Sequence, residues 1–164
     1  MRVLFVTNMW PDESRPWYGT FIHTQARSLE ALGVDVDTVA IRGYASKAEY
    51  LRAIPDIRAR AAAADVVHAH YGHSAVVART QFRKPLVVSY CGDDLLGTVT
   101  AGGGTTLRSR AEAALFRQVA RVADATITKS AEMEAVRLRG AWDLLEAVGR
   151  VTEAPGEGAI SPPC

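Results

Sequence analysis

Three of the chain's four histidines, His68, His70 and His73, fall within the six positions of HAHYGH. Histidine does acid–base chemistry near neutral pH and also binds metals through imidazole, so the spacing has to be weighed against both. On a strand His68 and His70 share a face, with His68 two residues deeper, which makes His68 a packed core histidine. His70 falls at the strand's carboxyl end as a hydrogen-bond partner or acid–base group, and His73 in the loop beyond. The pattern H-x-H-x-x-H could offer three nitrogens to zinc. No carboxylate or thiolate in the segment completes a ligand set, however, so no metal is expected.

Two further stretches carry chemistry. YCGDDLLG (90–97) places Asp93 and Asp94, after Gly92, just past another apolar run. Paired acids there can bind sugar hydroxyls or magnesium or act as a general base, and an aspartate equally caps a turn; one of the two is expected to be functional. WYGTF puts Gly19 and Thr20 at the start of a helix, where free N–H groups and the helix dipole suit a phosphate. The same residues serve equally as a chain turn and a helix cap. Neither GxGxxG after the first strand nor GxxxxGK[ST] anywhere is present, which disfavours a classical NAD domain and a P-loop NTPase. The three glycines of TAGGGTTLRSR, ahead of Arg108 and Arg110, would make a phosphate cradle, but a flexible connection is the favoured reading.

These residues need elements to hold them. RVLFV (2–6) reads as a buried strand, followed by a loop of the length usually reserved for function. Ile22, Ala26 and Leu29 have helical spacing and end on Gly33; VDVDTVAI (34–41) returns to strand, with Asp35 and Asp37 on one face. A helix over 46–64 is expected to break or kink at Pro55. Further strands are read at DVVHAH, PLVVSY and DATITKS, and helices at 74–83 and 107–122. The last has an apolar stripe of Leu107, Ala111, Leu115, Val119 and Val122, with Arg108, Arg110, Arg117 and Arg121 off it. Strands alternating with helices predict a Rossmann-like, doubly wound α/β fold, a mostly parallel sheet of about five strands with helices on both faces. Its ligand crevice lies beyond the strands' carboxyl ends, at Thr7–Trp10, His70–Gly72, Cys91–Asp94 and Lys129–Ser130.

Composition sets the class. With 164 residues, 48% hydrophobic and 23% charged, the chain has the size and balance of one globular domain, and a net charge of +1 gives no global field to recruit nucleic acid. Cys91 and Cys164 form no CxxC pair, and no leader or membrane-length run is seen, so a reducing, cytoplasmic setting is expected. The arginines near Arg58, Arg60 and 108–121 leave room for weak peripheral membrane contact, although such runs are usually solvated faces. The domain is expected over 1–138, with 139–164 an irregular tail in which AWDLLEAVG could make one helical piece.

Taken together and in order, the opening strand with its proline-containing loop ending at Gly19, FIHTQARSLEALG, ADVVHAH, PLVVSYCGDDLLG and ADATITKSAEM resemble the N-terminal domain of family 4 glycosyltransferases of the GT-B fold. The resemblance implies transfer of a sugar from a nucleotide-sugar to a sugar or lipid-linked acceptor, with retention at the anomeric carbon. It implies no cofactor and no obligatory metal, the nucleotide-sugar being a substrate. Carried over, Gly19 and Thr20 form the donor phosphate loop; His70, Asp93 and Asp94 are the candidate catalytic residues; Tyr71, Gly92 and Ser130 line the acceptor-side cleft. The chain departs from the family where two glycines commonly stand at Gly19 and Thr20, and where a histidine often stands at Cys91. The resemblance also implies a donor-binding C-terminal domain that no stretch of these 164 residues resembles, so a truncated or frameshifted reading frame or a single-domain fragment, inactive alone, is expected. Two alternatives remain: a non-catalytic acceptor-binding module pairing with a separate donor domain, and a metal hydrolase built on the histidines with Asp93 or Asp94.

Overall fold

From Val3 to Thr7 no residue of the first strand is more than 6% exposed, as a strand covered on both faces requires. It is an interior strand, paired on both sides. The computed structural model describes residues 1–98 and 104–137. Their elements run β1 (Arg2–Thr7), α1 (Thr20–Ala31), β2 (Asp35–Ala40), α2 (Ala48–Ala61), β3 (Val66–His70), α3 (Gly72–Ala78), β4 (Leu86–Ser89), α4 (Asp93–Leu96), α5 (Leu107–Val122) and β5 (Ala125–Ile127), then helix over 131–137. The sheet is parallel throughout, in the order β2-β1-β3-β4-β5. This is the Rossmann-like α/β architecture expected.

Alternation along the strands divides the core in two. Val3 and Phe5 pack with Ile22 and Ala26 of α1 on one face, while Leu4, Val6, Val67, Ala69 and Val88 pack with residues of α2, α3 and α5 on the other. Asp35 and Asp37, side by side on β2, each take an arginine: Arg2 Nε lies 2.6 Å from Asp35, and Arg60 Nη1 3.0 Å from Asp37. The sheet order reverses direction between β1 and β3, which opens a crevice at their carboxyl ends.

Three expectations are corrected. α2 runs through Pro55 without a break, because Pro55 faces solvent and the carbonyl of Leu51, which loses its donor, lies on that same exposed face. The helix expected over 74–83 begins and ends earlier, at Gly72–Ala78. Gln81 explains the early stop: its side chain bonds the Lys84 carbonyl and the Arg83 and Lys84 N–H groups, stapling the following loop. On α5 the buried face is Ser109, Ala113, Phe116, Val119 and Ala120, whereas Leu107, Leu115 and Val122 of the expected stripe are 82%, 49% and 52% exposed. That face is buried because its Phe116 ring closes on Gly72 of α3, where even a Cβ would meet the ring at 2.3 Å. Gly102 and Gly103 of the glycine run and the expected tail at 139–164 lie outside the described residues.

Candidate functional site

At the β1/β3 crevice lies a cleft of about 340 Å³. Asn8 and Met9 follow β1; Tyr18 comes from the long loop; Gly43, Tyr44, Lys47 and Tyr50 lead into and along α2; Tyr71 and His73 begin α3; Asp93 opens α4. Several chain segments meet there only because parallel crossovers bring all carboxyl ends to one edge.

The histidines separate. His68 is buried against Ser89, with Nε2 2.8 Å from Oγ, and burial lowers its pKa from 6.5 to about 4. His70, expected in the crevice, is only 1% exposed and is not among the cleft residues. It stacks on His68 at 4.2 Å, packs its ring on Phe5, and holds Gln25 of α1 at 3.1 Å. Burial first, then the charges of His68 and Lys129, drive its pKa down to about 2. The two share a face, as alternation requires, and Gln25 of α1 reaches His70.

His73 faces the cleft instead. Rather than standing in a loop, it occupies the first turn of α3, its ring 5.3 Å from Tyr50, 5.7 Å from Tyr71 and 4.7 Å from Phe116. Lys47 Nζ, a donor only, lies 3.2 Å from Nε2, so Nε2 accepts and the neutral ring carries its proton on Nδ1. Glu112 is 3.7 Å away. Burial, then the Lys47 charge, hold the imidazole below its ordinary pKa, with Glu112 opposing them.

The two aspartates divide their work. Asp94 is 1% exposed, and its carboxylate accepts from the backbone N–H groups of Gly72, Cys91, Gly92 and Leu95 at 2.9–3.2 Å. It ties the start of α3 to the start of α4. Burial raises its pKa, and those hydrogen bonds pull the other way. Asp93 is exposed in the cleft, where its Oδ2 accepts the Tyr71 hydroxyl at 3.2 Å. Tyr71 is the one described non-glycine residue with positive φ, at 76°, a backbone strain of the kind that collects at functional sites.

Gly19, with φ 73°, is the N-cap of α1, and a Cβ there would meet the Met9 carbonyl oxygen at 2.2 Å. Thr20 is the first helical residue and makes no capping bond, which leaves the helix amino terminus open at the sheet's carboxyl edge. Gly92 turns the chain ahead of α4 with φ 140°. Ser130 is exposed and accepts the Met133 N–H through Oγ, capping the helix over 131–137. Cys91 carries a thiol that burial pushes up to about 11, with Lys129 Nζ 3.9 Å from its sulfur. That thiol is protonated at neutral pH and a poor nucleophile.

Sequence reasoning missed Lys47, Tyr50 and the cleft-facing side of His73. The spacing of Tyr50 with Ile57 and Ala61 reads as core, and Tyr50 is indeed core on one edge and cleft on the other. The arginine clusters make local pairs, mostly at the surface. Arg60 pairs with Asp37 and Asp56, Arg108 with Glu112, Arg117 donates to the Leu95 carbonyl, and Arg121 to Gln118. Among the described residues no helix is long and apolar enough to cross a membrane.

A parallel α/β module with a tyrosine-lined, carboxylate-bearing cleft at its switch point belongs to the broad class that binds ligands at the sheet's carboxyl edge. Within it, the family model for the glycosyl transferase 4-like domain matches residues 5–143, and the chain belongs to that family. No curated protein matches it.

Proposed function

We propose that this chain supplies the acceptor-side half of a retaining glycosyltransferase, moving a sugar from a nucleotide-sugar onto a hydroxyl held in the cleft. The observation that carries this reading is the position of Asp93, an exposed carboxylate hydrogen-bonded to Tyr71 at the β1/β3 switch point of a family 4-like module. Asp93 takes the acceptor hydroxyl's hydrogen bond. His70 and Asp94 act from beneath, as positioning residues that hold β3 against α1 and α3 against α4. On the donor side, the amino terminus of α1 at Gly19 and Thr20 faces the diphosphate, and the exposed rings of Trp17 and Phe21 rim the same edge. The remaining grip on the nucleotide comes from a second domain, in the same polypeptide or in trans, because a cleft shared between two domains leaves each with one wall.

The test is release of nucleoside diphosphate from a panel of nucleotide-sugars, measured on the chain alone and after adding the donor-binding domain encoded nearest to it. Release only from the mixture is the expected result. Turnover by the chain alone overturns the two-domain reading, and silence from both, with no co-purification, overturns the transferase reading.

A further inference from the structure

A second cavity, of about 550 Å³, opens at the other edge of the sheet. Residues 58–62, at the end of α2, and 80–83, in the loop after α3, line it, just ahead of the amino ends of β3 and β4. In a parallel sheet those ends lie opposite the crevice, so nothing proposed for sugar transfer uses this cavity.

Its lining has an apolar half and a basic half. Ala61 is buried and Ala62 exposed, and beside them the Phe82 ring stands 73% exposed. Arg58 and Arg83 bring two guanidiniums. A third, that of Arg79, lies 5.5 Å from the Phe82 ring centroid, and Lys84 follows Arg83 in the chain. Among the described residues none of these four cations pairs with a carboxylate, whereas Arg52, Arg60 and Arg108 each do. Uncompensated cations gathered at one edge draw an anion, and the planar fork of arginine fits a phosphate. An exposed aromatic ring stacks a flat one.

The lining is also set before any ligand arrives, which lowers the ordering cost of binding. Gln81, 4% exposed, accepts from the Arg83 and Lys84 N–H groups and donates to the Lys84 carbonyl, fixing the loop that carries Phe82 and Arg83. Arg58 Nε donates to the Thr80 carbonyl at 3.0 Å, which anchors the guanidinium and leaves its two Nη groups for an anion. The volume falls within the ~300–1,000 Å³ typical of small-molecule sites.

We infer that this cavity binds a small organic phosphate, its flat ring stacked on Phe82 and its phosphate held by the guanidiniums of Arg58 and Arg83. It is a ligand site separate from the transfer cleft, and it stands whether or not the chain takes part in sugar transfer.

Titration of the chain with phenyl phosphate, followed by amide NMR, tests this, with inorganic phosphate, benzyl alcohol and phosphatidylglycerol vesicles as the other arms. Phenyl phosphate is expected to shift the amides of residues 58–62 and 80–84 to saturation and to leave those of Tyr71, Gly72 and His73 in place. Inorganic phosphate and benzyl alcohol, each offering half of the ligand, should bind at least about tenfold more weakly. Arg83→Gln and Phe82→Ala, both at exposed positions, are each expected to weaken phenyl phosphate about tenfold, the scale of one charge-assisted hydrogen bond or one stacked ring. Arg110→Gln, at an exposed arginine of α5 with no ion pair among the described residues, should leave binding unchanged. Thermal melts like the parent's show that the variants are folded. The inference is overturned by the absence of saturable shifts, by shifts centred on the transfer cleft, by binding that neither Arg83→Gln nor Phe82→Ala weakens, by an equal loss in Arg110→Gln, or by binding to the vesicles alone.

Discussion

Asp93 and Asp94 are adjacent and chemically identical, yet their environments give them opposite duties. Asp94 gathers four backbone N–H groups in the interior, so Asp94→Asn replaces an acceptor oxygen with an amide that faces donors. Urea unfolding is expected to show a loss of about 2–3 kcal/mol for Asp94→Asn. Asp93→Asn, on the exposed side, should stay within about 0.5 kcal/mol of the parent. Equal losses from the two variants would refute the division. Sequence marked both residues and could not separate them, because both follow Gly92 and either can cap a turn. The difference arises where the amino terminus of α3, from a distant stretch of chain, brings the Gly72 N–H to one carboxylate.

Elements were the most legible level, and their edges and faces the least. Five strands and the major helices follow from periodicity, but α5 offers two faces of comparable helical spacing, and the less apolar one is buried. Its partner decides this: Gly72 at the start of α3 lets Phe116 approach. Gly72→Ala is therefore expected to cost about 1–3 kcal/mol through overpacking. Adding Phe116→Leu to it should cost less than the sum of the two single changes, and strict additivity in thermal melts would count against the contact. Pro55 teaches the complementary lesson, since a helix breaker in the sequence is tolerated where its missing N–H and the carbonyl opposite face water. Pro55→Ala is expected to stabilise the chain by about 2 kcal/mol, raising the melting temperature by several degrees.

At the scale of the whole molecule, the stacked pair His68 and His70 couples stability to pH. Both have folded pKa values pushed below the ordinary 6.5, to about 4 and about 2. Below pH 6.5 the unfolded chain therefore binds protons that the folded chain refuses, and stability falls as pH falls. Each histidine contributes about 1.4 kcal/mol per pH unit, from 6.5 down to its folded value. Between pH 6 and pH 4 the unfolding free energy of His70→Gln should fall about one proton less steeply than that of the parent, and parallel slopes would show that His70 is not a buried neutral group.

The sequence by itself determined the α/β class, the family and the strands whose carboxyl ends share one edge of the sheet, because hydrophobic period and chain order are local properties. What it could not settle is which residues at the edge face outward. His70 and His73 are three positions apart, and only the fold brings Gln25 of α1 onto the first, while the early start of α3 turns the second into the cleft. Packing between elements distant in sequence makes those choices, and only the tertiary structure records them.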